Sequence, residues 1–191
     1  MQRNAGIGLF TKPSINMSVH IIIDGYNLIR QSKALGQLDQ TDLQLGRDAL
    51  IDNLAAYKRV KRHQITVVFD GSSEFGNRDQ EKGIKIKFSR HGETADSVIK
   101  RMAAREKTKA LVVSSDREVA DYSASKGAAV IGSEAFEDKM TMAAFMDVKG
   151  ISSESGEAGS DEGWVPTTKK KGPSKRLPKK KRMNRKRLKK L

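Results

Sequence analysis

The chain contains no cysteine, four prolines and one tryptophan in 191 residues. Without cysteine it can form neither a disulfide nor a thiolate–metal site, which suits a reducing compartment, and we predict a cytoplasmic location. No apolar run reaches the roughly 20 residues that a membrane-spanning helix needs, so no membrane partner is expected. Residues 1–17 lack the apolar core of a signal peptide and are predicted to be a short N-terminal extension.

Acidic residues are missing from the C-terminal end of the chain. Residues 169–191 contain 14 of the 37 Lys and Arg residues and no Asp or Glu. The remaining 23 basic residues equal the 23 acidic ones, so the net charge of +14 resides in this segment. A run of this composition cannot bury a core and is predicted to be a disordered basic tail. Residues 148–168, rich in Ser, Gly and acids, are predicted to form a flexible acidic linker.

Strand and helix patterns alternate over residues 18–147, which we predict to be one domain. Apolar, β-branched runs predict buried strands at 19–23, 65–69, 110–113 and 128–131, and an alternating pattern predicts an edge strand at 84–88. Helices are expected at 41–62, after Thr94, at 117–126 and at 134–146, with a Thr41–Gln44 capping box and a loop at 72–83. This alternation predicts an α/β fold with a mostly parallel sheet and helices on both faces.

Four aspartates follow the strand patterns. Asp24, Asp70 and Asp116 come directly after or close to strand ends, and Asp96 lies in the first turn of a predicted helix. Because ligands bind at the carboxyl ends of parallel strands, we expect the four to converge there. Oxygen ligands without Cys or His favour Mg²⁺ or Mn²⁺, which can support phosphodiester hydrolysis. Each aspartate taken alone could equally cap a turn or a helix.

Other polar residues are candidates for substrate binding. Asn27, Ser114 and Ser115 could contact a phosphate, or could simply bond to the backbone of their own turns. The tail could neutralise RNA phosphates, with sequence-independent and salt-dependent affinity. Its candidate contacts are Lys179, Lys180, Lys181, Arg182, Arg185 and Arg187. The alternative is a solvated charge run that aids solubility.

The motifs resemble those of NYN domains, which are PIN-like nucleases with a three-layer α/β fold. Asp24-Gly25-Tyr26-Asn27 resembles their opening motif, and 67–71, 93–96 and 114–116 follow in the matching order, most like the YacP-like branch. The resemblance covers about 18–146. It implies a Mg²⁺- or Mn²⁺-dependent endoribonuclease acting on single-stranded RNA, with Asp24, Asp96 and Asp116 as catalytic acids and Asp70 as a further metal ligand. The ribosome is the expected partner.

Two features depart from that family pattern. Ser97 stands where many PIN-like enzymes have a second acid, and the chain after residue 146 does not resemble a further family segment. A non-catalytic RNA- or ribosome-binding protein with the same fold is therefore the alternative. A phosphatase with Asp24 as nucleophile is a weaker one, because it needs a second aspartate where Tyr26 stands.

Overall fold

The structure is a computed structural model that describes residues 19–71, 80–149, 179–189 and Leu191. The strands are β1 His20–Asp24, β2 Gln64–Phe69, β3 Gln80–Glu81, β4 Ile84–Phe88, β5 Ala110–Val113 and β6 Ala129–Ile131. The helices are α1 Gly25–Gln31, α2 Lys33–Thr41, α3 Leu43–Lys61, α4 Ala95–Glu106, α5 Arg117–Ser125, α6 Ser133–Val148 and α7 Lys179–Leu188. Among these helices none is both long and apolar enough to cross a membrane.

The six strands form one sheet in the order β3-β4-β2-β1-β5-β6. All neighbouring pairs are parallel except β3 with β4. The chain runs outward from β1 through β2 to β4, and then returns to the other side of β1 for β5 and β6. The order therefore reverses beside β1, and in open α/β sheets such a switch point is where ligands bind.

Two cores cover the two faces of the sheet. In β1, Ile21 and Ile23 belong to one buried cluster and Ile22 to the other, because successive side chains of a strand point to opposite faces. The first cluster includes apolar residues of α1, α3 and α6, and the second those of α4 and α5. This arrangement confirms the predicted α/β fold with three layers and a mostly parallel sheet.

Several predicted elements need correction. The helix predicted at 41–62 begins two residues later, at Leu43, and Thr41 is the last residue of α2. Asp42 rather than Thr41 caps α3, because its Oδ1 accepts from Gln44 N at 2.6 Å. The predicted loop at 72–83 contains β3 at its end, and its residues 72–79 lie outside the described part. Strand β4 is not at the edge, because β3 pairs with it. The sequence patterns also missed α1 and α2, which are short.

The tail differs in part from the predicted disorder. Lys179–Leu188 form helix α7, which lies against β6, and Leu188 and Leu191 pack on the first core. Lys and Arg are good helix formers. Leu188 and Leu191 attach the segment to the core, which the high density of charge in the sequence did not indicate. The predicted N-terminal extension, and the predicted linker beyond Lys149, lie outside the described residues.

A buried polar network joins the amino-terminal ends of the strands. His20, the first residue of β1, lies 2.6 Å from Glu106 Oε2 through Nδ1 and 2.8 Å from Thr66 Oγ1 through Nε2. Its partners come from α4 and β2, so the network ties one helix and two strands together. Both ring nitrogens have partners, as a buried imidazole requires.

Candidate active site

Asp24 lies at the switch point, at the carboxyl end of β1. It caps α1, with Oδ1 accepting from Asn27 N at 3.1 Å, while Ser114 Oγ donates to Oδ2 at 3.4 Å. Only 8% of Asp24 is exposed. The pKa of Asp24 is raised to about 6, chiefly by burial and also by the negative charges of Asp96 and Asp116, while its hydrogen bonds act in the opposite direction.

Asp96 faces the same edge from the first turn of α4. Partial burial raises its pKa above the ordinary value, and the charges of Asp116, Glu118 and Asp70 add to the effect. The positive charge of Lys100, one helical turn later, acts in the opposite direction and lowers the pKa of Asp96. Asp24, Asp96 and Asp116 thus lie within electrostatic range of one another, and Asp70 lies within range of Asp96.

Lys100 and Glu118 are site residues that the sequence patterns did not indicate. Lys100 Nζ donates to Glu118 Oε1 at 2.5 Å, linking α4 to α5 beside Asp96 and Asp116. Glu118 follows Asp116 by two residues, and this closeness in sequence was only a weak indication that Glu118 lies near the carboxylates. The pairing itself joins residues 18 positions apart and needed the fold to be seen.

Asp70 and Asp116 also fulfil the structural roles that were the alternative for each of them. Asp70 Oδ1 accepts from Ser89 Oγ at 2.7 Å and from Ala95 N at 3.2 Å, which fixes the start of α4 to the ends of β2 and β4. Asp116 Oδ1 caps α5 by accepting from Val119 N at 2.9 Å. Within the described residues, no hydrogen bond engages Oδ2 of either carboxylate.

Asn27 and the two serines are hydrogen-bonded inside the protein. Asn27 Oδ1 accepts from Ser115 N at 2.9 Å and from Ser133 Oγ at 2.7 Å, so it joins α1 to the turn after β5 and to the start of α6. Ser114 Oγ accepts from Asp116 N at 3.1 Å, and Ser115 Oγ accepts from Ser133 N at 3.0 Å. Ser133 is buried and was not foreseen. Substrate binding by Asn27, Ser114 and Ser115 stays a prediction.

The donor set suits a hard cation, although the side chains do not enclose one as they stand. In the described ranges, no three His, Asp or Glu side chains approach closely enough to hold a metal ion. The pKa values of Asp24 and Asp96 are nevertheless raised, chiefly by burial and in part by repulsion from the neighbouring acids. A divalent cation would relieve that repulsion, and its preferred ligands are carboxylate oxygens.

The predicted tail contacts fall into three groups. Arg182 and Arg185 are exposed on α7, whereas the side chains of Lys179, Lys180 and Lys181 lie outside the description. Arg187 is 6% exposed, its Nη1 donates to Asn184 Oδ1 at 3.5 Å, and burial lowers its pKa. Arg187 was predicted to contact RNA at the surface, and its burial argues against that role.

Comparison with known proteins places the chain in a family. The model of the YacP-like NYN domain matches residues 21–191, which includes the segment after residue 146 that the sequence motifs had set apart. The uncharacterised protein YacP of Bacillus subtilis (strain 168) is 29% identical over 85 residues, 44% of this chain and 50% of that protein. The chain thus spans about half the length of this curated relative.

Two crystal structures have the same fold. Rae1 (YacP) from Bacillus subtilis aligns with a TM-score of 0.60 and 23% identity, over 69% of this chain and 78% of that one. A mutant of the same protein aligns with a TM-score of 0.56 and 24% identity, over 65% and 76%. Because the family model matches most of this chain, the chain belongs to the YacP-like NYN domain family, within the PIN-like nuclease superfamily.

Proposed function

We propose that the protein is a divalent-metal-dependent endoribonuclease that cleaves single-stranded RNA at the carboxyl edge of its sheet. The observation that carries the proposal is the mutual electrostatic repulsion of Asp24, Asp96 and Asp116 at the switch point, with Asp70 acting on Asp96 and with raised pKa values at Asp24 and Asp96. Membership in a nuclease superfamily supports the same class of reaction. Perturbed pKa values cluster at functional sites, which supports a role for these acids beyond capping.

The ion, Mg²⁺ or Mn²⁺, would be held by the carboxylates of Asp24, Asp96, Asp116 and Asp70. Bound there, the ion would supply an activated water and neutralise charge on the phosphate. Asp24 is fixed by Asn27 and Ser114, and Asp116 by the first turn of α5, so both carboxylates are held before substrate arrives. Lys100 lies beside Asp96 and could attract the RNA backbone to the edge.

The basic tail supplies affinity for RNA in this proposal, because the exposed Arg182 and Arg185 of α7 can neutralise phosphates. The ribosome is the proposed partner through the same chemistry, since ribosomal RNA presents a dense phosphate surface.

The decisive experiment is a cleavage assay on single-stranded RNA with Mn²⁺, with and without EDTA. The wild-type chain should cleave with Mn²⁺ alone, and Asp96→Asn should lose at least about 100-fold in rate, as expected when a metal ligand is removed. Asp121→Asn is the matched control, because Asp121 is exposed on α5 and pairs with Arg117 at 3.8 Å. Cleavage that persists in EDTA or in Asp96→Asn would refute the proposal.

A non-catalytic RNA-binding protein is the second candidate. Ser97 in place of a second acid favours it, as does the absence of three closely placed metal-ligating side chains in the described residues. This candidate predicts salt-dependent RNA binding that is equal in the wild type and in Asp96→Asn, with no cleavage by either.

A further inference from the structure

Three aromatic rings and one arginine lie beside the carboxylates, on the face of the sheet covered by α1 and α3. Tyr26 is two residues after Asp24, Phe69 directly precedes Asp70, and Phe88 directly precedes Ser89, which donates to Asp70. The side chain of Arg47, from α3, contacts all three rings. We call these four residues the arginine–aromatic cluster.

The cluster is tightly ordered around the guanidinium of Arg47. Its carbon lies 5.7 Å from the ring centroid of Tyr26, 5.9 Å from that of Phe69 and 5.6 Å from that of Phe88, all within cation–π range. Arg47 Nε donates to Tyr26 Oη at 2.9 Å. The Phe69 and Phe88 rings stack with centroids 5.7 Å apart.

Arg47 has neutral partners for its positive charge. Its Nη1 donates to Gln44 Oε1 at 3.1 Å, and no carboxylate pairs with it in the described part of the chain. Arg30 adds a second guanidinium 5.6 Å from the Tyr26 centroid. A partly buried guanidinium that pairs with no carboxylate of the described residues, and that lies beside a ligand-binding edge, suits a negatively charged or electron-rich ligand.

Tyr26 and Phe88 are each half-buried, whereas Phe69 is buried. Arg47 is also partly exposed, so the cluster offers part of its aromatic surface and a planar cation to solvent. Nucleobases of single-stranded RNA stack on such rings and on guanidinium planes, and the stacking does not depend on base identity.

We propose that the arginine–aromatic cluster is a nucleobase subsite, which stacks a base of the single-stranded RNA next to the phosphate at the carboxylates. Arg47 is the positioning residue in this subsite, since it holds Tyr26 and Phe88 in place and offers its own plane to the base. The inference rests on the proposed RNA substrate and adds where a flanking nucleotide is held.

Binding of a single-stranded RNA that carries one 2-aminopurine tests the subsite in the full chain. The fluorescence of this base falls when it stacks, and measurement at saturating protein in EDTA separates stacking from affinity and from cleavage. The wild type should quench the probe, and Arg47→Met should reduce the quenching roughly twofold or more and weaken binding about fivefold, as expected for one lost stacking contact. Thermal unfolding checks that the variant is folded.

Arg105→Met is the matched control. Arg105 is exposed at the end of α4 next to Glu106, which bonds to the first residue of β1, so the control removes the same charge at the opposite edge. It should quench as the wild type does. If Arg47→Met does not fold, Phe88→Leu decides, because it keeps an apolar side chain and removes the ring. A wild type without quenching, or folded variants that quench fully, would overturn the subsite.

The outcome for the subsite is independent of the outcome for the reaction. Quenching that depends on Arg47, with no cleavage in Mn²⁺, would keep the subsite and refute the endoribonuclease. Cleavage in Mn²⁺ without quenching would do the reverse.

Discussion

The position of Asp24 suits the proposed reaction but lowers the stability of the free protein. Its place at the end of β1 puts the carboxylate inside the protein, where the charged form loses hydration. Two further aspartates then repel it. Hydrogen bonds from Asn27 and Ser114 offset part of this penalty without removing it. The residue best placed to serve the proposed reaction is thus one that weakens the free protein.

Replacing Asp24 by Asn should stabilise the metal-free protein in a pH-dependent way. The folded-state pKa of about 6 exceeds the ordinary 3.8, so the stability contributed by this group is present below 3.8 and is lost as the pH rises through about 6. Asp24→Asn should therefore gain up to about 3 kcal/mol at pH 7.5 and almost nothing at pH 3.5. Urea denaturation in EDTA at both pH values measures the difference.

The control is Asp121→Asn, which changes an exposed carboxylate. Its stability difference from the wild type should stay near zero at both pH values. An Asp24→Asn gain that is equal at the two pH values would contradict the burial and repulsion argument.

Asn27 should matter for stability as well as for any substrate. Asn27→Ala leaves Ser115 N and Ser133 Oγ without their acceptor, which costs about 1–3 kcal/mol. Asn53→Ala, an exposed substitution in α3, should change the free energy of unfolding far less. Equal losses in the two variants would show that the Asn27 bridge contributes nothing in solution.

The sequence predicted the four aspartates because each follows a strand or opens a helix. It could not predict the arginine–aromatic cluster, since Arg47 and Tyr26 are 21 positions apart and meet through the packing of α3 on the sheet. Ser133 was missed for the same reason, because its bond to Asn27 spans 106 positions. Local patterns carry information about caps and strand ends, and not about contacts between distant helices.

At the scale of elements, the turn from β1 into α1 depends on Gly25. A Cβ built there would lie 2.3 Å from Phe69 Cε1 and 2.9 Å from Val67 Cγ1, so the absence of a side chain lets the Phe69 ring pack beneath the turn. The glycine of the opening motif therefore serves the close approach of α1 to β2.

Gly25→Ala should destabilise the protein by about 1–3 kcal/mol, the usual consequence of overpacking. It should also displace the Phe69 ring and with it the arginine–aromatic cluster. Gly36→Ala in α2 is the control, because its nearest atom is 3.4 Å away and alanine favours helix. Thermal unfolding of both variants gives the comparison, and a Gly25→Ala protein as stable as Gly36→Ala would contradict it.

Elements with strong local signals were predicted well, and those decided by long-range contacts were not. Strands β1, β2 and β5 are apolar runs rich in β-branched residues and β4 alternates, and the predicted bounds of all four matched the structure to within one residue. Helix α1 has only seven residues and α2 has nine. Strand β3 has two residues and exists because β4 offers it a partner.

For the whole molecule, the charges of the tail and its packing on the core should have separate effects, the first on RNA affinity and the second on stability. The double change Arg182→Gln and Arg185→Gln removes two exposed charges from α7 and leaves Leu188 and Leu191 on the core. The slope of log affinity for single-stranded RNA against log salt should become shallower by about one, while the melting temperature stays unchanged.

The matched double change is Arg105→Gln with Lys109→Gln, near the opposite edge of the sheet. It alters the net charge equally and should leave the salt slope as it is. Equal slopes for the two double variants would show that the effect comes from net charge and that α7 has no special contact with RNA.

The His20 network has a consequence for how the sheet moves. Bonds to Glu106 and Thr66 lock the amino-terminal ends of β1 and β2, whereas like charges loosen the carboxyl ends. Local opening should therefore start at one end, and backbone amides beyond Ile23 should exchange with deuterium sooner than those near Ile21. Such a difference in local stability would let the carboxyl ends of the strands adjust to a ligand while the amino ends stay fixed.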